Sequence, residues 1–490
     1  MAGKRRIRPI SPRLRIEILT KEDIMKIHEA SLEVMRDVGV RFPSRKALEI
    51  LGDAGAVVDP STMVAKLPPD LVTKALASAP PSYTLAARNP EDNIILDGTS
   101  CWLSTDGCGI ETYDLETGAK RLSTKKDIQD SARLADYLDD IAFYWGPMVS
   151  AQDIPAEVRP LHELQAAFLG TSKHVQPETI ITEKMAEYCV ELAAIIVGGK
   201  ENLQSRPVFS VMQCSADPLG EDAGSIEASL VAAKYGIPTG FMPMPMSCGT
   251  APATLAGNLV VTTVDSLAPI VLLQIAYPGC PVFFAAAPTV IDLHTGGYTG
   301  GSPEDYLLGG AFNQICDFYN IPLSMGAMAT GAKLPDWQAG VDNSLSTLMP
   351  VLTCTDMLTG AGMLNGSKIL SFPEIIMDCE IFSIVRKVAE GIRVDSETLA
   401  VDVIKKVGVG GNFLAEKHTR KFLREIWRPT VFDRTPYSVW EESGGKGALD
   451  KAVEMARSIL AKHQPLPIDP VTMKEMDRVV RAAERELLGR

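Results

Sequence analysis

From Thr124 onward, short apolar runs alternate with longer segments whose apolar residues recur every three or four positions. The short runs are almost continuously apolar, which is typical of parallel strands covered by helices, and the longer segments are typical of amphipathic helices. The predicted strands cover residues 141–149, 179–181, 207–212, 238–242, 282–287, 322–327, 357–362 and 369–372. Eight strands with intervening helices over about 250 residues indicate an α/β fold, a (β/α)8 TIM-type barrel.

Different patterns flank this alternating region. Residues 1–125 combine predicted helices with β-prone runs separated by turn pairs, so we predict an N-terminal α+β elaboration there and the barrel over residues 126–380. Residues 381–490 are predicted to form C-terminal helices packed on the barrel. A doubly wound open sheet is the alternative fold, but the Gly-x-Gly-x-x-Gly turn that normally marks it is absent from the sequence.

Composition excludes several classes of partner. The formal charge is −13, from 48 Lys and Arg against 61 Asp and Glu, which argues against binding nucleic acid through its phosphates. The uncharged stretch over residues 266–291 is interrupted by prolines, so a buried helix followed by a buried strand explains it better than a membrane span. Nine dispersed cysteines without a Cys-x-x-Cys pair are typical of reduced thiols in the cytoplasm. The six histidines show no metal-ligand spacing, so no metal site is predicted.

Function in such barrels lies where the strands end and the βα loops begin. At the predicted strand ends the sequence is rich in methionine, aromatic and glycine residues and poor in charge, for example at Tyr144, Trp145, Gln213 and Met244. Aromatic faces attract quaternary ammonium groups, with up to about 2 kcal/mol when desolvated, so this lining suits an apolar or cationic ligand. The alternative is that these side chains only pack at the strand ends.

Three further segments carry candidate chemistry. Lys333, Asp336 and Gln338 place an ammonium, a carboxylate and an amide ahead of a helix start, although Asp336 could simply cap that helix beside a surface lysine. The glycine-rich run over residues 296–301 allows a backbone to approach a large ligand closely, or is only a flexible loop. The polar segment around His418 is either functional or a charged packing loop.

Several motifs occur in a characteristic order along the chain. They are Leu161-His162-Glu-Leu-Gln165, Gly300-Gly301 with Glu304, Lys333-Leu-Pro-Asp336-Trp-Gln338-Ala-Gly340, Gly360-Ala-Gly362, Gly411-Asn412-Phe413-Leu414 with His418-Thr419, and Trp427-Arg-Pro429 ahead of Asp433-Arg434. Over essentially its whole length, the chain thereby resembles the trimethylamine methyltransferase superfamily, in particular its non-pyrrolysine branch, which includes glycine betaine:corrinoid methyltransferase. The resemblance implies a (β/α)8 barrel that passes a methyl group from an amine to the Co(I) corrinoid of a separate corrinoid protein, with no corrinoid held tightly by this chain.

The identity of the methyl donor follows from a departure from the superfamily pattern. Its trimethylamine enzymes carry a pyrrolysine in the barrel mouth, whereas the matching stretch here, near residues 330–336, holds only ordinary residues. A quaternary ammonium needs no special activation, because it already carries a positive charge and leaves as a neutral amine. We therefore predict direct displacement at an N-methyl carbon of a quaternary amine, best matched by glycine betaine, with proline betaine, carnitine and trimethylamine as alternatives.

The resemblance and the strand-end positions together suggest roles for the candidate residues. Substrate binding is predicted for Tyr144, Trp145, Gln213 and Met244, and the catalytic group is predicted to comprise Lys333, Asp336 and Gln338. Contacts with the corrinoid or its carrier are predicted for His294, Tyr298, Asn365 and His418. Two other classes stay open, namely an aldolase- or isomerase-like barrel with Lys333 as a Schiff-base nucleophile and a non-catalytic quaternary-amine sensor. A homo-oligomer is expected.

Overall fold

A nearly closed parallel barrel forms the centre of the computed structural model, which describes residues 7–107 and 109–489. Its strands are Trp102–Thr105 (β1), Ile141–Trp145 (β2), His174–Gln176 (β3), Val211–Cys214 (β4), Thr239–Met242 (β5), Val282–Ala286 (β6), Leu323–Gly326 (β7) and Met357–Ala361 (β8). Neighbours in the sheet follow the chain order, β8 pairs with β1, and a bridge between Val175 and Phe209 joins β3 to the segment that leads into β4. The predicted (β/α)8 barrel is confirmed.

One long helix follows each barrel strand. These helices are Lys125–Tyr137 (α1), Arg159–Gly170 (α2), Glu183–Val197 (α3), Ala223–Lys234 (α4), Leu255–Ala276 (α5), Pro303–Tyr319 (α6), Trp337–Thr353 (α7) and Phe372–Ala389 (α8). Side-chain caps begin several of them, since the side chains of Thr182, Asp222 and Ser302 accept hydrogen bonds from the backbone one turn on. Such caps satisfy amide groups that the first helical turn leaves without partners.

Additional elements precede, interrupt and follow the barrel. The other helices are Lys21–Asp37, Arg45–Asp53, Pro69–Leu76, Lys200–Ser205, Ser396–Leu399, Val401–Val407, Lys417–Phe422, Tyr437–Glu442, Ala448–Lys462 and Pro470–Leu487, with 3-10 turns at Pro90–Asp92 and Leu423–Glu425. The other strands are Val40–Arg41, Val57–Asp59, Val64–Lys66, Tyr83–Leu85, Ile94–Leu96, Glu111–Tyr113, Lys120–Leu122, Met246–Ser247, Thr289–Val290, Met363–Leu364 and Ile369–Leu370.

A hairpin closes the amino-terminal end of the barrel. Its strands Tyr83–Leu85 and Ile94–Leu96 pair with each other, and their apolar side chains pack with Phe143 and Phe283 from inside the barrel. The Tyr83 hydroxyl donates a hydrogen bond of 3.0 Å to the carbonyl oxygen of Val282, at the start of β6. The barrel is therefore filled at this end, and its carboxyl end remains available for a ligand.

Two predicted strand positions are wrong, and the first barrel strand was missed. The first barrel strand is Trp102–Thr105, within the segment that was assigned to the N-terminal elaboration. Residues 179–181 form no strand, and β3 lies earlier, at His174–Gln176. Of residues 369–372, only Ile369–Leu370 is a strand, in a separate four-stranded sheet. The domain division at residues 125 and 380 stays a prediction, although the barrel sheet begins before residue 126.

The long uncharged stretch forms a buried helix followed by a buried strand, as predicted. Leu255–Ala276 is long and apolar enough to cross a membrane, but 78% of its most apolar stretch is buried inside the protein. It lies between the barrel and the N-terminal helices Lys21–Asp37 and Pro69–Leu76. Within the described residues, Cys101, Cys189, Cys248, Cys280, Cys316, Cys354 and Cys379 are free thiols, and Cys108 lies outside those residues.

Candidate functional site

A cavity of about 440 Å³ opens at the carboxyl ends of the barrel strands. Its wall is formed by Asp106, Gly107, Trp145, Cys214, Asp217, Met242, Met244, Met246, Thr250, Ala287, Tyr298, Gly326, Ala327, Ala329, Thr359, Gly366, Ser367 and Lys368. A larger cavity of about 1120 Å³ borders residues 138–140, ahead of β2, and so lies at the opposite end of the barrel. Because barrel enzymes bind their substrates at the carboxyl end, the 440 Å³ cavity is the candidate site.

Three methionines give the cavity a polarisable, apolar wall. Met242 ends β5, and Met244 and Met246 follow it in a segment with alternating prolines. Two hydrogen bonds fix this segment: the Met244 amide donates to Oδ2 of Asp217 at 2.6 Å, and the Met246 amide donates to Oγ1 of Thr250 at 2.9 Å. The thioether side chains are thereby held on one wall of the cavity.

Trp145 lies at the end of β2 on the same cavity wall and is only 3% exposed. Its carbonyl oxygen accepts a hydrogen bond of 2.9 Å from Oγ1 of Thr105, which ties β2 to β1. The indole Nε1–H is buried and has no acceptor among the described residues. Because buried donors are normally satisfied, this unpaired group points to a ligand with an acceptor atom.

Asp106 is a buried acid directly after β1. Ser367 donates a short hydrogen bond to Oδ2, and the Gly107 amide donates one of 2.8 Å to Oδ1. Burial raises the pKa of Asp106 to about 6, although the two hydrogen bonds oppose the rise. At Gly107 the chain passes close to the carboxyl group of Glu178, and a Cβ added there would lie 2.8 Å from Oε1 of that residue.

The structure divides the four predicted substrate-binding residues into two pairs. Trp145 and Met244 line the cavity. Tyr144 points to the other face of β2, where its hydroxyl lies 2.9 Å from Oγ of Ser131 on α1. Gln213 also points outward, and its Nε2 donates to the carbonyl oxygen of Ile180 at 2.8 Å. Tyr144 and Gln213 therefore do not line this cavity, because adjacent residues of a strand face opposite sides, and their predicted role in substrate binding stays a prediction.

Lys333, Asp336 and Gln338 lie together at the start of α7, outside the cavity wall. Lys333 is exposed, and its Nζ donates to the carbonyl oxygen of Gly331 at 2.5 Å. Oδ1 of Asp336 accepts the Gln338 amide at 2.9 Å, so this carboxylate caps the helix. The Gln338 side-chain amide donates to Asp342 at 3.3 Å. These contacts match the alternative of a helix cap beside a surface lysine and do not place the three groups against a ligand.

The four residues predicted to meet the corrinoid or its carrier occupy three places. Tyr298 lines the cavity. His294 is exposed in the β6–α6 loop. Asn365 lies in the loop after β8, where its backbone amide donates to the Ala332 carbonyl oxygen at 2.7 Å. His418 lies 3.1 Å from the carbonyl oxygen of Glu397, in the chain that follows the carboxyl end of α8. His418 therefore does not line the cavity, since that end of α8 lies opposite the mouth, and its predicted contact with the corrinoid carrier stays a prediction.

Sequence reasoning missed several residues of the wall. Asp106 and Gly107 looked like a turn pair, and only the recognition of β1 directly before them would have exposed them as a strand end. Asp217 follows β4, four residues beyond the candidate Gln213, and Lys368 follows β8, three residues beyond the candidate Asn365. Within the described ranges, no group of three or more His, Cys, Asp or Glu side chains is arranged to hold a metal ion.

The barrel and its apolar mouth define a barrel enzyme that binds a small ligand at the carboxyl ends of its strands. The family model described as trimethylamine methyltransferase (MTTB) matches residues 4–487, and the chain belongs to this family. It is 34% identical over 478 residues to the trimethylamine methyltransferase MttB of Methanosarcina barkeri (strain Fusaro / DSM 804), covering 97% of this chain and 96% of that protein. The resemblance inferred from the motifs is thereby confirmed, and the protein is a methyltransferase.

Two further comparisons extend this result. The chain is 33% identical over 455 residues to the glycine betaine methyltransferase of Desulfitobacterium hafniense (strain Y51), covering 92% of this chain and 94% of that one. The crystal structure of the Methanosarcina barkeri monomethylamine methyltransferase (MtmB) superposes with a TM-score of 0.50 at 12% identity, over 96% of this chain and 93% of that one. At that identity, the superposition supports the shared fold alone.

Proposed function

We propose that this protein transfers a methyl group from a quaternary amine, best matched by glycine betaine, to the Co(I) corrinoid of a separate protein. The N–CH3 bond of the bound amine breaks as the methyl carbon accepts an electron pair from Co(I). The pair of the broken bond stays on nitrogen, so the amine leaves neutral as dimethylglycine and the acceptor becomes methyl-Co(III). The corrinoid is a substrate carried by its own protein.

The composition of the cavity wall is the observation that carries the proposal. Three methionines and the buried Trp145 offer a trimethylammonium group an apolar, polarisable surface. A trimethylammonium group has no N–H to donate, so it is recognised by such surfaces and by aromatic faces rather than by hydrogen-bond acceptors. The unpaired Nε1–H of Trp145 and the ammonium of Lys368 supply partners for a carboxylate at the other end of glycine betaine.

The proposed chemistry requires no proton transfer. A quaternary amine leaves without protonation, so a general acid has no task. None of the histidines in the described residues lines the cavity, and the buried His174 is held neutral, because burial lowers its pKa to about 4. The residues around the mouth would instead position the methyl carbon and exclude water, and positioning alone can supply about 7 to 11 kcal/mol.

The rim of the mouth supplies a surface for the corrinoid carrier. Leu293 in the β6–α6 loop and Leu334 and Trp337 at the β7–α7 connection are exposed, Trp337 by 86%. Exposed apolar groups around a cavity mark a contact surface, and His294 and Asn365 lie on the same rim. Trp337→Ala should therefore raise the KM for the carrier and leave the dissociation constant of the amine unchanged. An equal effect on both constants would argue against this docking surface.

Exposed apolar side chains in the C-terminal segment suggest self-association in the cytoplasm. Ile392, Val409, Leu414 and Tyr437 are all at least 70% exposed, and exposed apolar residues of this density are typical of covered interfaces. We infer that the surface covering these residues belongs to another copy of this chain. The free thiols elsewhere in the chain fit a reducing compartment. Light scattering after size-exclusion chromatography should give a multiple of the 52.9 kDa chain mass. A monomer would refute the homo-oligomer.

The decisive experiment is spectroscopic. The protein is mixed with a corrinoid carrier reduced to Co(I), glycine betaine is added, and conversion to methyl-Co(III) is followed by absorbance. Conversion that requires both the protein and glycine betaine is expected. The same assay with proline betaine, carnitine and trimethylamine decides among the donors, and a reaction with none of the four would refute the proposal.

Two rival functions give other outcomes in the same assay. A quaternary-amine sensor would bind glycine betaine in calorimetry without forming methyl-Co(III). A Schiff-base enzyme would be trapped covalently at Lys333 by borohydride with a carbonyl substrate. Because Lys333 is exposed and lies outside the cavity, it lacks the desolvated setting that usually activates such a lysine.

A further inference from the structure

A group of three carboxyl side chains borders the candidate site. Asp217 lies in the β4–α4 loop on the cavity wall. Glu221 lies four residues further along, 2% exposed, and Asp265 projects from α5 and is fully buried. No lysine, arginine or histidine of the described residues forms an ion pair with any of the three; the side chain of Asp265 instead hydrogen-bonds that of Asp217, and Ser215 lies against Glu221.

The environments of the three carboxyl groups differ, and so do their pKa values. Burial raises the pKa of Glu221 well above its ordinary value, with Asp265 and Asp217 adding to the rise. Burial and the charge of Asp217 raise the pKa of Asp265 to about 9. Burial also raises the pKa of Asp217, but this residue is partly exposed at the cavity and its Oδ2 accepts the Met244 amide. Of two carboxyl groups that share a hydrogen bond, the more deeply buried one keeps its proton more firmly.

Asp217 is therefore the acid of the group that faces the cavity and gives up its proton most readily, with the more deeply buried acids behind it. Its side chain shares a hydrogen bond with that of Asp265. The same cavity holds the unpaired indole Nε1–H of Trp145 and the three methionine side chains. An unpaired donor, a carboxyl group and an apolar surface around one cavity together indicate a ligand that carries both a positive and a negative end.

We propose that Asp217 is the specificity-determining carboxylate that selects a positively charged headgroup, and that Asp265 is a positioning residue that stays neutral behind it. This inference rests on the proposed function, since it takes the occupant to be a quaternary amine. Neutral Asp265 leaves a single negative charge facing the headgroup, whereas an ionised Asp265 would repel Asp217. The positive charge of the ligand is thus met by a single carboxylate on the cavity wall.

The size of the effect follows from the coupling of two charges. An opposite charge within about 4 to 6 Å shifts the pKa of a carboxyl group by about 1 to 3 pH units. Because such coupling is reciprocal, ionised Asp217 should strengthen the binding of a cation by at least about tenfold over a neutral side chain. An uncharged ligand of the same shape should gain nothing.

Two ligands of equal shape test the proposal by calorimetry at pH 7.5. Glycine betaine is compared with 3,3-dimethylbutanoate, in which carbon replaces the charged nitrogen. The unmodified protein should prefer glycine betaine, Asp217→Asn should reduce that preference at least tenfold, and Asp265→Asn should retain it. Unchanged preference in folded Asp217→Asn would overturn the proposal, and so would loss of the preference in Asp265→Asn.

A second measurement decides the matter if Asp217→Asn does not fold. In the unmodified protein the preference should decline as the pH falls and Asp217 takes up a proton. Asp106 and Lys368 share the cavity, and Asp222 lies near Glu221, so the series is repeated with Asp106→Asn. A decline that persists in this variant supports Asp217, and a decline that disappears assigns the effect to Asp106 and overturns the proposal.

The outcome is separable from that of the proposed function. A clear preference for glycine betaine without formation of methyl-Co(III) would uphold Asp217 as a cation-selecting residue and refute the methyl transfer. Methyl transfer without any preference for the charged ligand in binding would do the reverse. Failure of the protein to bind glycine betaine at all would overturn this inference.

Discussion

Trp145 offers the sharpest test of how the cavity holds its ligand. Its indole is 3% exposed on the cavity wall, so an ammonium group placed against it would be desolvated. For a desolvated cation over an indole, the attraction amounts to about 2 kcal/mol. Since each 1.4 kcal/mol is a tenfold change in affinity, Trp145→Leu should raise the dissociation constant of glycine betaine about 30-fold.

Three measurements isolate this contribution. Both ligands lose the Nε1–H partner of their carboxylate in Trp145→Leu, but the dissociation constant of 3,3-dimethylbutanoate should rise much less than that of glycine betaine, because it has no positive charge for the ring to attract. Trp145→Phe keeps an aromatic face and should lose less of the affinity for glycine betaine than Trp145→Leu. Tyr144→Phe is the matched control, since the adjacent side chain points away from the cavity towards Ser131, and it should leave both constants unchanged.

Loss of packing must be separated from loss of the ring. Replacing a large buried aromatic side chain creates a void and destabilises the fold by up to about 3 to 5 kcal/mol. Circular dichroism and thermal melting should therefore accompany the titrations, which are made well below the melting temperature of each variant. If folded Trp145→Leu weakens both ligands equally, or neither of them, the ring does not contact the ammonium and the reasoning is refuted.

Three further predictions concern charge and packing around the mouth. Burial raises the pKa of Asp106 from 3.8 to about 6. Between these values the folded chain binds more protons than the unfolded chain, so the unmodified protein loses stability as the pH rises. Chemical unfolding should therefore show that the stability gained by Asp106→Asn is about 1.4 kcal/mol larger at pH 7.5 than at pH 5. A Cβ at Gly240 would lie 2.2 Å from an aromatic ring inside the barrel, whereas one at Gly340 on α7 meets no atom within 4 Å. Gly240→Ala should therefore lower the unfolding free energy by about 1 to 3 kcal/mol, and Gly340→Ala should raise it by up to about 1 kcal/mol. Equal effects of the two substitutions would contradict the packing argument. Lys368→Met should weaken glycine betaine up to about fivefold, as expected for an exposed ion pair, and leave choline unaffected, whereas Lys333→Met should change neither constant in calorimetry.

The sequence predicts the barrel because most of its strands are short apolar runs between amphipathic helices, and each side of such a strand is buried. The misplaced strand β3 lacks this pattern. His174 and Gln176 point into the barrel, where both side chains bond to the hydroxyl group of Ser210, from the neighbouring segment. This polar interior depends on a partner 34 to 36 residues away in the chain, which local periodicity does not reveal.

The same burial on both faces explains why the sequence does not resolve the cavity wall. In a strand with one exposed face, polar residues mark the outer side, but in β2 every residue is buried. The sequence therefore identifies Tyr144 and Trp145 as a strand end without showing which of them faces the mouth. Loop residues present a related difficulty, because Lys333 and Lys368 both follow strand ends and only the paths of the two loops place Lys368 on the cavity wall.

The ionisable groups at the mouth can now be given a common interpretation. Buried acids beside a cavity often serve as proton donors or acceptors, but a quaternary amine offers neither a proton to remove nor a leaving group that needs one. A charged side chain near the reacting nitrogen would instead change how tightly substrate and product bind, because that nitrogen is positive in the substrate and neutral in the product amine. A single carboxylate at Asp217 therefore holds the substrate more tightly than the product, which favours release of the product amine. A second ionised acid at Asp265 would strengthen the hold on the charged ground state and so oppose the loss of charge in the transition state, because only interactions that are stronger in the transition state than in the ground state lower the barrier. On this reasoning, the neutral state of Asp265, whose pKa is about 9, limits the negative charge to what recognition requires.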